Sequence, residues 1–341
     1  MNMVSGRHRL LVVVAFVATF AGSLILVAPA AEAVTFAPRV ITGIPAAPKE
    51  GETVYQKVVK LETVTAQVTA GRTAYLYSRL DAYDSAHVNL VDNEVICSGA
   101  GSGSAVMGEN IDPPTGREDR QSISIVTRLL VEATTSGTMT CSIYLRTISL
   151  TYNVSSMTVG GELRFAGTDI KEDVSGQPIQ VAQPAGSPTT LEAGKPLYIS
   201  TLDRTLPTDY TEVAVIADTE FQSCWPDDAD GDGNADCGSS DTSTARFTLY
   251  VRLMNGSTTC ASAPVARTDV TVNDQTHHKA IPLYTKVSRV PGCDRLYAYV
   301  KAEYLSGHTG GIQGTATNLT DETPPDPKHS SWMTHAFAVP S

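Results

Sequence analysis

The stretch Arg295-Leu296-Tyr297-Ala298-Tyr299-Val300-Lys301-Ala302 alternates apolar and polar residues with a period of two. Phe247, Leu249, Val251 and Leu253 repeat the pattern between Arg246, Thr248, Tyr250 and Arg252. So do Ile123, Ile125, Leu129 and Val131, with Ser122, Ser124 and Arg128 on the other side. A strand directs successive side chains to opposite faces, so this alternation is that of strands with one buried face. Thr and Val are abundant, Gly and Pro punctuate the runs, and no amphipathic helix follows the N-terminal region. Many short strands with such turns argue for an all-β chain of two to three Ig-like or related β-sandwich modules stapled by disulfides.

The N-terminus reads as an export signal. Arg7, His8 and Arg9 precede an apolar run from Leu10 to Val27, and Ala31 and Ala33 supply the small residues of a cleavage site. The alternative is an uncleaved anchor, since the run is near the lower length for spanning a bilayer. Cleavage after Ala33 removes 33 of 341 residues and leaves 308, with no later stretch able to span a membrane. The whole chain carries a formal net charge of −11. That balance disfavours nucleic acid, whose phosphates demand a basic face, and anionic lipid surfaces. The expected location is secreted or extracellular, including the cell surface.

A weak internal repeat runs through the chain. Thr69-Ala70-Gly71-Arg72 leads into Tyr75 to Asp81, and Glu192-Ala193-Gly194-Lys195 leads into Leu197 to Asp203. Each is followed by a strand ending near a cysteine, Cys97 or Cys224, and then by a hairpin whose return carries Cys141 or Cys260. A degenerate third copy begins at Ile281. The organisation read from this is a signal over 1–33, a lead-in over 34–52, a first module over 53–182 and a linker over 183–196. A second module with the third repeat follows over 197–323, then a tail over 324–341 with a possible last strand.

All six cysteines lie after the signal, and an even count in an exported chain reads as three disulfides. The repeat favours Cys97 with Cys141, Cys224 with Cys260 and Cys237 with Cys293. A competing scheme pairs Cys224 with Cys237 and Cys260 with Cys293. Zinc fits poorly, because no Cys-x-x-Cys or histidine pair accompanies them.

One motif carries chemistry. Residues 228–236 read Asp-Ala-Asp-Gly-Asp-Gly-Asn-Ala-Asp, with carboxylates at the first, third, fifth and ninth positions. A chain coiled around an ion turns these inward, and calcium takes six to eight oxygens at adaptable geometry. The run resembles the calcium loops of EF-hands and thrombospondin type 3 repeats. That resemblance makes Asp228, Asp230, Asp232 and Asp236 side-chain ligands and Asn234 a backbone one. It covers nine residues and departs from the EF-hand at the twelfth position, Ser239, and in its strand-like flanks. A structural calcium site of roughly 0.1 to 1 mM affinity is therefore expected.

No catalytic constellation emerges. Gly99 to Ser104 fits neither a nucleophile elbow nor a phosphate loop. His277 and His278 are sequence neighbours that a strand would point apart. His87, His308 and His335 are isolated and read as surface or turn residues. Trp225, beside the acidic loop, could stack on a sugar ring or pack beneath the loop. The sequence favours a non-catalytic binding or structural protein with an extracellular protein or glycan as partner. The alternatives are a carbohydrate-binding protein and a secreted hydrolase whose carboxylates only the fold brings together.

Overall fold

The computed structural model describes residues 33–46, 56–83, 88–111, 122–149, 155–170, 189–207, 209–223, 242–273, 278–319 and 329–341. Strands dominate, as the period-two runs require, and the described residues contain no helix. None is therefore long and apolar enough to cross a membrane.

The first module comprises β1 (Ala33–Ile44), β2 (Lys57–Val68), β3 (Thr73–Tyr83), β4 (Val88–Gly99), β5 (Gly103–Asn110), β6 (Ile123–Glu132), β7 (Gly137–Ser149) and β8 (Ser155–Ile170). They form two antiparallel sheets, β1-β8-β3-β6 and β2-β7-β4-β5. This order is two interlocked Greek keys, a jelly roll, rather than the seven-strand arrangement of an immunoglobulin constant domain. Leu76, Leu80, Val91, Val95, Ile125, Ile143, Leu145 and Leu163 fill the space between the sheets. Each such side chain stabilises the fold by about 1.5–3 kcal/mol on burial.

The second module comprises β9 (Thr189–Leu191), β10 (Leu197–Thr205), β11 (Glu212–Ser223), β12 (Thr242–Asn255), β13 (Thr258–Ser262), β14 (Ala266–Asn273), β15 (His278–Ser288), β16 (Arg295–Gly307) and β17 (Gly310–Gln313). Then come β18 (Thr315–Leu319), β19 (His329–Trp332) and β20 (His335–Pro340). β13 and β14 pair with successive parts of β12 and act as one broken edge strand. β17 and β20 pair with successive parts of β11 and act as one interrupted strand. With those joined, the sheets read β9-β17-β11-β15 and β10-β16-β12-β14, the strand order of the first module. The excursion between β17 and β20 leaves this module: β19 meets β5 at Trp332 and Ala105 and extends the first module's sheet.

The repeat in the sequence therefore lies one strand out of step with the repeat in the fold. By topology β3 corresponds to β11 and β2 to β10, whereas the sequence aligns the start of β3 with the start of β10. What the two stretches share is a turn. Arg72 N–H donates to Thr69 O at 3.0 Å and Lys195 N–H to Glu192 O at 3.2 Å. Gly71 and Gly194 both sit at positive φ, +73° and +72°, where a side chain is strained. The two turns connect different strands of the jelly roll.

That offset corrects the favoured disulfide scheme. Cys97 pairs with Cys141, directly opposite it on β7. Cys260 pairs with Cys293, not with Cys224, so Cys293 is also not the partner of Cys237. The cause is register: Met254 lies between Thr259 on one side and Arg295 on the other, which brings the β13 turn to the β15–β16 turn. Cys224 and Cys237 lie outside the described residues. Residues 189–191, inside the stretch read as linker, form β9 and pair with β17.

Candidate functional site

Two places gather chemistry. The first is the outer face of the sheet β10-β16-β12. Leu296, Ala298, Val300 and Ala302 face the core, so Arg295, Tyr297, Tyr299, Lys301 and Glu303 face out. On β12 the same parity turns Arg246, Tyr250 and Arg252 outward. β10 needs a correction of parity, because Tyr198 and Asp203 are five residues apart. A bulge between Ile199 and Leu202, with Ser200 at φ 51°, supplies the extra residue and puts both on the outer face.

The result is a tyrosine platform centred on Tyr299. Tyr250 stacks against it at 5.2 Å with an interplanar angle of 26°. Tyr198 meets it edge-on at 5.5 Å, and Tyr297 lies tilted against it at 5.6 Å. Tyr198 is 61% exposed, the most exposed aromatic of the described residues. Tyr250 and Tyr299 are direct register partners, a cross-strand aromatic pair of the kind that stabilises a sheet face. Around the rings, Arg295 pairs with Asp203, Lys301 with Glu303 and Arg246 with Asp269.

The second place is the seam between the modules, where β11, β15 and β20 meet β5 and β6, with β19 alongside β5. Arg128 of β6 donates to Asp218 of β11 through Nε at 2.9 Å and also to the carbonyls of Ala217 and Leu283. Both side chains are almost fully buried. His335, expected at the surface or in a turn, is instead fully buried; its Nε2 lies 2.7 Å from Arg128 O. Its ring parallels Phe337, which with Leu130 and Ile216 forms a small apolar cluster across the seam. Burial holds the His335 imidazole below its usual pKa, with Asp218 opposing.

Beside these lies a group of carboxylates. Glu220 accepts the Gly108 N–H at 3.0 Å and is 2.7 Å from His278 Nδ1. A Cβ on Gly108 would lie 2.5 Å from Asp92 Oδ1 and 3.4 Å from Glu220 Oε1, so the glycine lets the two carboxyls approach. Burial pushes Glu220 up to about 8; the Gly108 N–H opposes this and Glu109 adds to it. Burial, then the Glu220 charge, raises Asp92 well above the usual carboxylate range. Burial would also raise Glu94, but its bond to His329, the Arg146 charge and Ser331 outweigh it and hold that carboxyl low. Arg146 Nε is 2.5 Å from Glu94 Oε2, and His329 Nε2 is 2.8 Å from Glu94 Oε1. Chemically the seam can hold a proton on a buried carboxyl near neutral pH, next to carboxylate and imidazole groups.

The sequence passed over these seam residues, yet it carried a signal for them. Val91-Asp92-Asn93-Glu94-Val95 and Val215-Ile216-Ala217-Asp218-Thr219-Glu220-Phe221 set carboxylates within apolar strands. Strands buried on both faces read this way, and a charge inside one must find a partner. The calcium-loop residues Asp228, Asp230, Asp232, Asn234 and Asp236, with Trp225, lie outside the described residues. The strands that flank them are described. Ser223 Oγ donates to Asn273 O at 2.8 Å, and Thr242 pairs with Asn273 on β14, so both ends of the intervening segment meet at one residue. Among the described residues no group of three or more His, Cys, Asp or Glu has the arrangement of a metal site.

Neither a protein-family model nor a curated protein matches the chain. Solved structures give loose likenesses. PNGF-II matches over 90% of this chain with a TM-score of 0.31 and 9% identity, and the chain spans only 65% of that protein. A peptide-N(4)-(N-acetyl-β-D-glucosaminyl) asparagine amidase matches over 88% of this chain and all of that one, with a TM-score of 0.27 and 12% identity. The tandem CBM22 domains of Paenibacillus barcinonensis Xyn10C match over 90% of this chain and 93% of that one, with a TM-score of 0.22 and 8% identity. The all-β sandwich architecture and its strand order are read from the chain's own pairing.

Proposed function

We propose that the protein is an exported, non-catalytic binding protein that takes a polysaccharide on the tyrosine face of its second module. The observation that carries this is the Tyr299 platform: three tyrosine rings packed against Tyr299 on one outer sheet face. A tyrosine ring offers an apolar face with a polar tip, which suits the C–H face and hydroxyl rim of a sugar. The surrounding Arg–Asp and Lys–Glu pairs supply hydrogen-bonding groups for the hydroxyls of a sugar chain. Export is supported by the N-terminal charge, apolar run and small-residue site, and by two disulfides among the described residues.

Calcium belongs to the same proposal, with Asp228, Asp230, Asp232, Asn234 and Asp236 as ligands. The oxygen spacing supports it, and so does the pinning of both segment ends at Asn273. Calorimetric titration should give one weak site, and chelator should lower the melting point. Asp230→Ala should remove both effects, while absence of heat up to several millimolar calcium would sink the assignment.

The function is tested by affinity electrophoresis of the mature chain through gels containing soluble polysaccharides. The expected outcome is retardation by at least one polysaccharide, lost in Tyr299→Ala with the fold retained. Retardation unchanged in that variant, or none with any polysaccharide, contradicts the reading.

A second reading, hydrolysis at the seam, is favoured by one observation: burial keeps Glu220 protonated near neutral pH beside Asp92, as a general acid requires. Release of product from glycans or glycopeptides, abolished in Glu220→Gln, would support it over non-catalytic binding.

A further inference from the structure

The tyrosine face holds more positive than negative charge, although the chain as a whole is acidic, with a formal net charge of −11. Its outward cations are Arg246, Arg252, Arg267, Arg295 and Lys301, and its outward carboxylates are Asp203, Asp269 and Glu303. Each carboxylate already has a partner: Arg295, Arg246 and Lys301 respectively. Arg252 and Arg267 remain, and neither forms a salt bridge among the described residues.

Their positions matter as much as their charge. Arg252 stands two residues beyond Tyr250 on β12, opposite Tyr297. Arg267 is exposed on β14 and stands opposite Thr248, two residues before Tyr250. Along a strand two residues cover roughly 6.6 Å, so the arginines lie on either side of the Tyr250–Tyr299 stack along the strand direction. A sugar ring seated on the stack would carry the neighbouring rings of its chain toward one guanidinium or the other.

We infer that the ligand of this face is a carboxylate-bearing polysaccharide, a polyuronate, with its rings on Tyr250 and Tyr299 and its carboxylates on Arg252 and Arg267. This rests on the polysaccharide reading above and names the class of polysaccharide. The planar guanidinium fork matches a carboxylate with two parallel hydrogen bonds. The surplus is small, and three carboxylates share the face, which disfavours densely charged sulfated or phosphodiester chains. Single-stranded nucleic acid also stacks on aromatics, but it needs a continuous cationic groove that this face lacks.

The test is affinity electrophoresis of the mature chain in gels containing polygalacturonate, hydroxyethylcellulose, heparin or single-stranded DNA. Five proteins are compared: wild type, Arg252→Gln, Arg267→Gln, the variant carrying both arginine substitutions, and Tyr299→Ala. The expected result is strongest retardation by polygalacturonate, weakened by added salt. Together the two arginine substitutions should weaken polygalacturonate binding roughly five- to tenfold while leaving the melting point unchanged. Tyr299→Ala should abolish retardation. Equal retardation by hydroxyethylcellulose and polygalacturonate, or a polygalacturonate preference untouched by the arginine variants, overturns the inference and leaves the polysaccharide reading standing. Stronger retardation by heparin than by polygalacturonate also overturns it. Retardation by single-stranded DNA alone, or by no polymer, overturns both.

Discussion

The faces of two topologically equivalent sheets have opposite fates in this molecule. In the first module, β4 and β7 turn Asp92, Glu94 and Arg146 outward, yet all three are nearly inaccessible, with Glu220 of the second module beside Asp92 and His329 and Ser331 of β19 against Glu94. In the second module the equivalent strands, β12 and β16, turn Tyr250 and Tyr299 outward, and nothing among the described residues covers them. Asp92 and Arg146 are register partners on their sheet, as Tyr250 and Tyr299 are on theirs. Of two topologically equivalent surfaces, one is a joint and the other a platform. The joint consists of charges that are costly when buried without partners, and the platform of rings that tolerate water on one side.

The joint is the more sensitive of the two surfaces to substitution. Asp218→Ala would leave the Arg128 guanidinium buried with only carbonyl partners, and should cost about 3–5 kcal/mol in urea unfolding. Replacing both Arg128 and Asp218 by apolar residues should recover most of that loss. If Asp218→Ala unfolds like wild type, the seam is not a tightly coupled joint. Gly108→Ala, whose Cβ would meet Asp92 and Glu220, should cost about 1–3 kcal/mol by overpacking.

The seam should also respond to pH. Glu220 moves from 4.5 in the unfolded chain to about 8 in the folded one, so the folded state holds a proton across that range that the unfolded state lacks. Stability from this group is therefore lost as pH rises through the range. The raised pKa of Asp92 acts in the same sense. His335, held below its usual value of 6.5, acts oppositely, costing stability as pH falls below that value. The cleanest window is thus pH 6.5 to 8, where thermal melts should fall with rising pH and Glu220→Gln should flatten the decline. A melting point that rises across this window would contradict the Glu220 assignment.

The smallest stability effect is expected on the platform. Tyr299→Ala should cost no more than about 1 kcal/mol, because its ring is partly solvated and its contacts are with other outward rings. A larger loss would mean that the tyrosines serve the fold rather than a ligand.

The all-β sandwich was legible in the sequence because alternation is a local property. Phe247 to Leu253 and Leu296 to Ala302 announced their buried faces, and these residues line the second core. The jelly-roll order was not legible, since it depends on which distant strands pair. The similar turns at Gly71 and Gly194 even pointed to an alignment one strand out of step. The platform was half visible: Tyr297 and Tyr299 shared a face in the sequence, but Tyr198 joined them only through the Ser200 bulge. The seam needed the fold, because Asp92 and Glu220 come from strands of different modules.

The most direct measurement is hydroxyl-radical footprinting of the protein with and without a polysaccharide that retards it, read by mass spectrometry. The expected result is protection of Tyr198, Tyr250, Tyr297 and Tyr299, with His278 and His329 at the seam unchanged. Protection of those histidines with the four tyrosines still reactive would move binding to the seam and contradict the account.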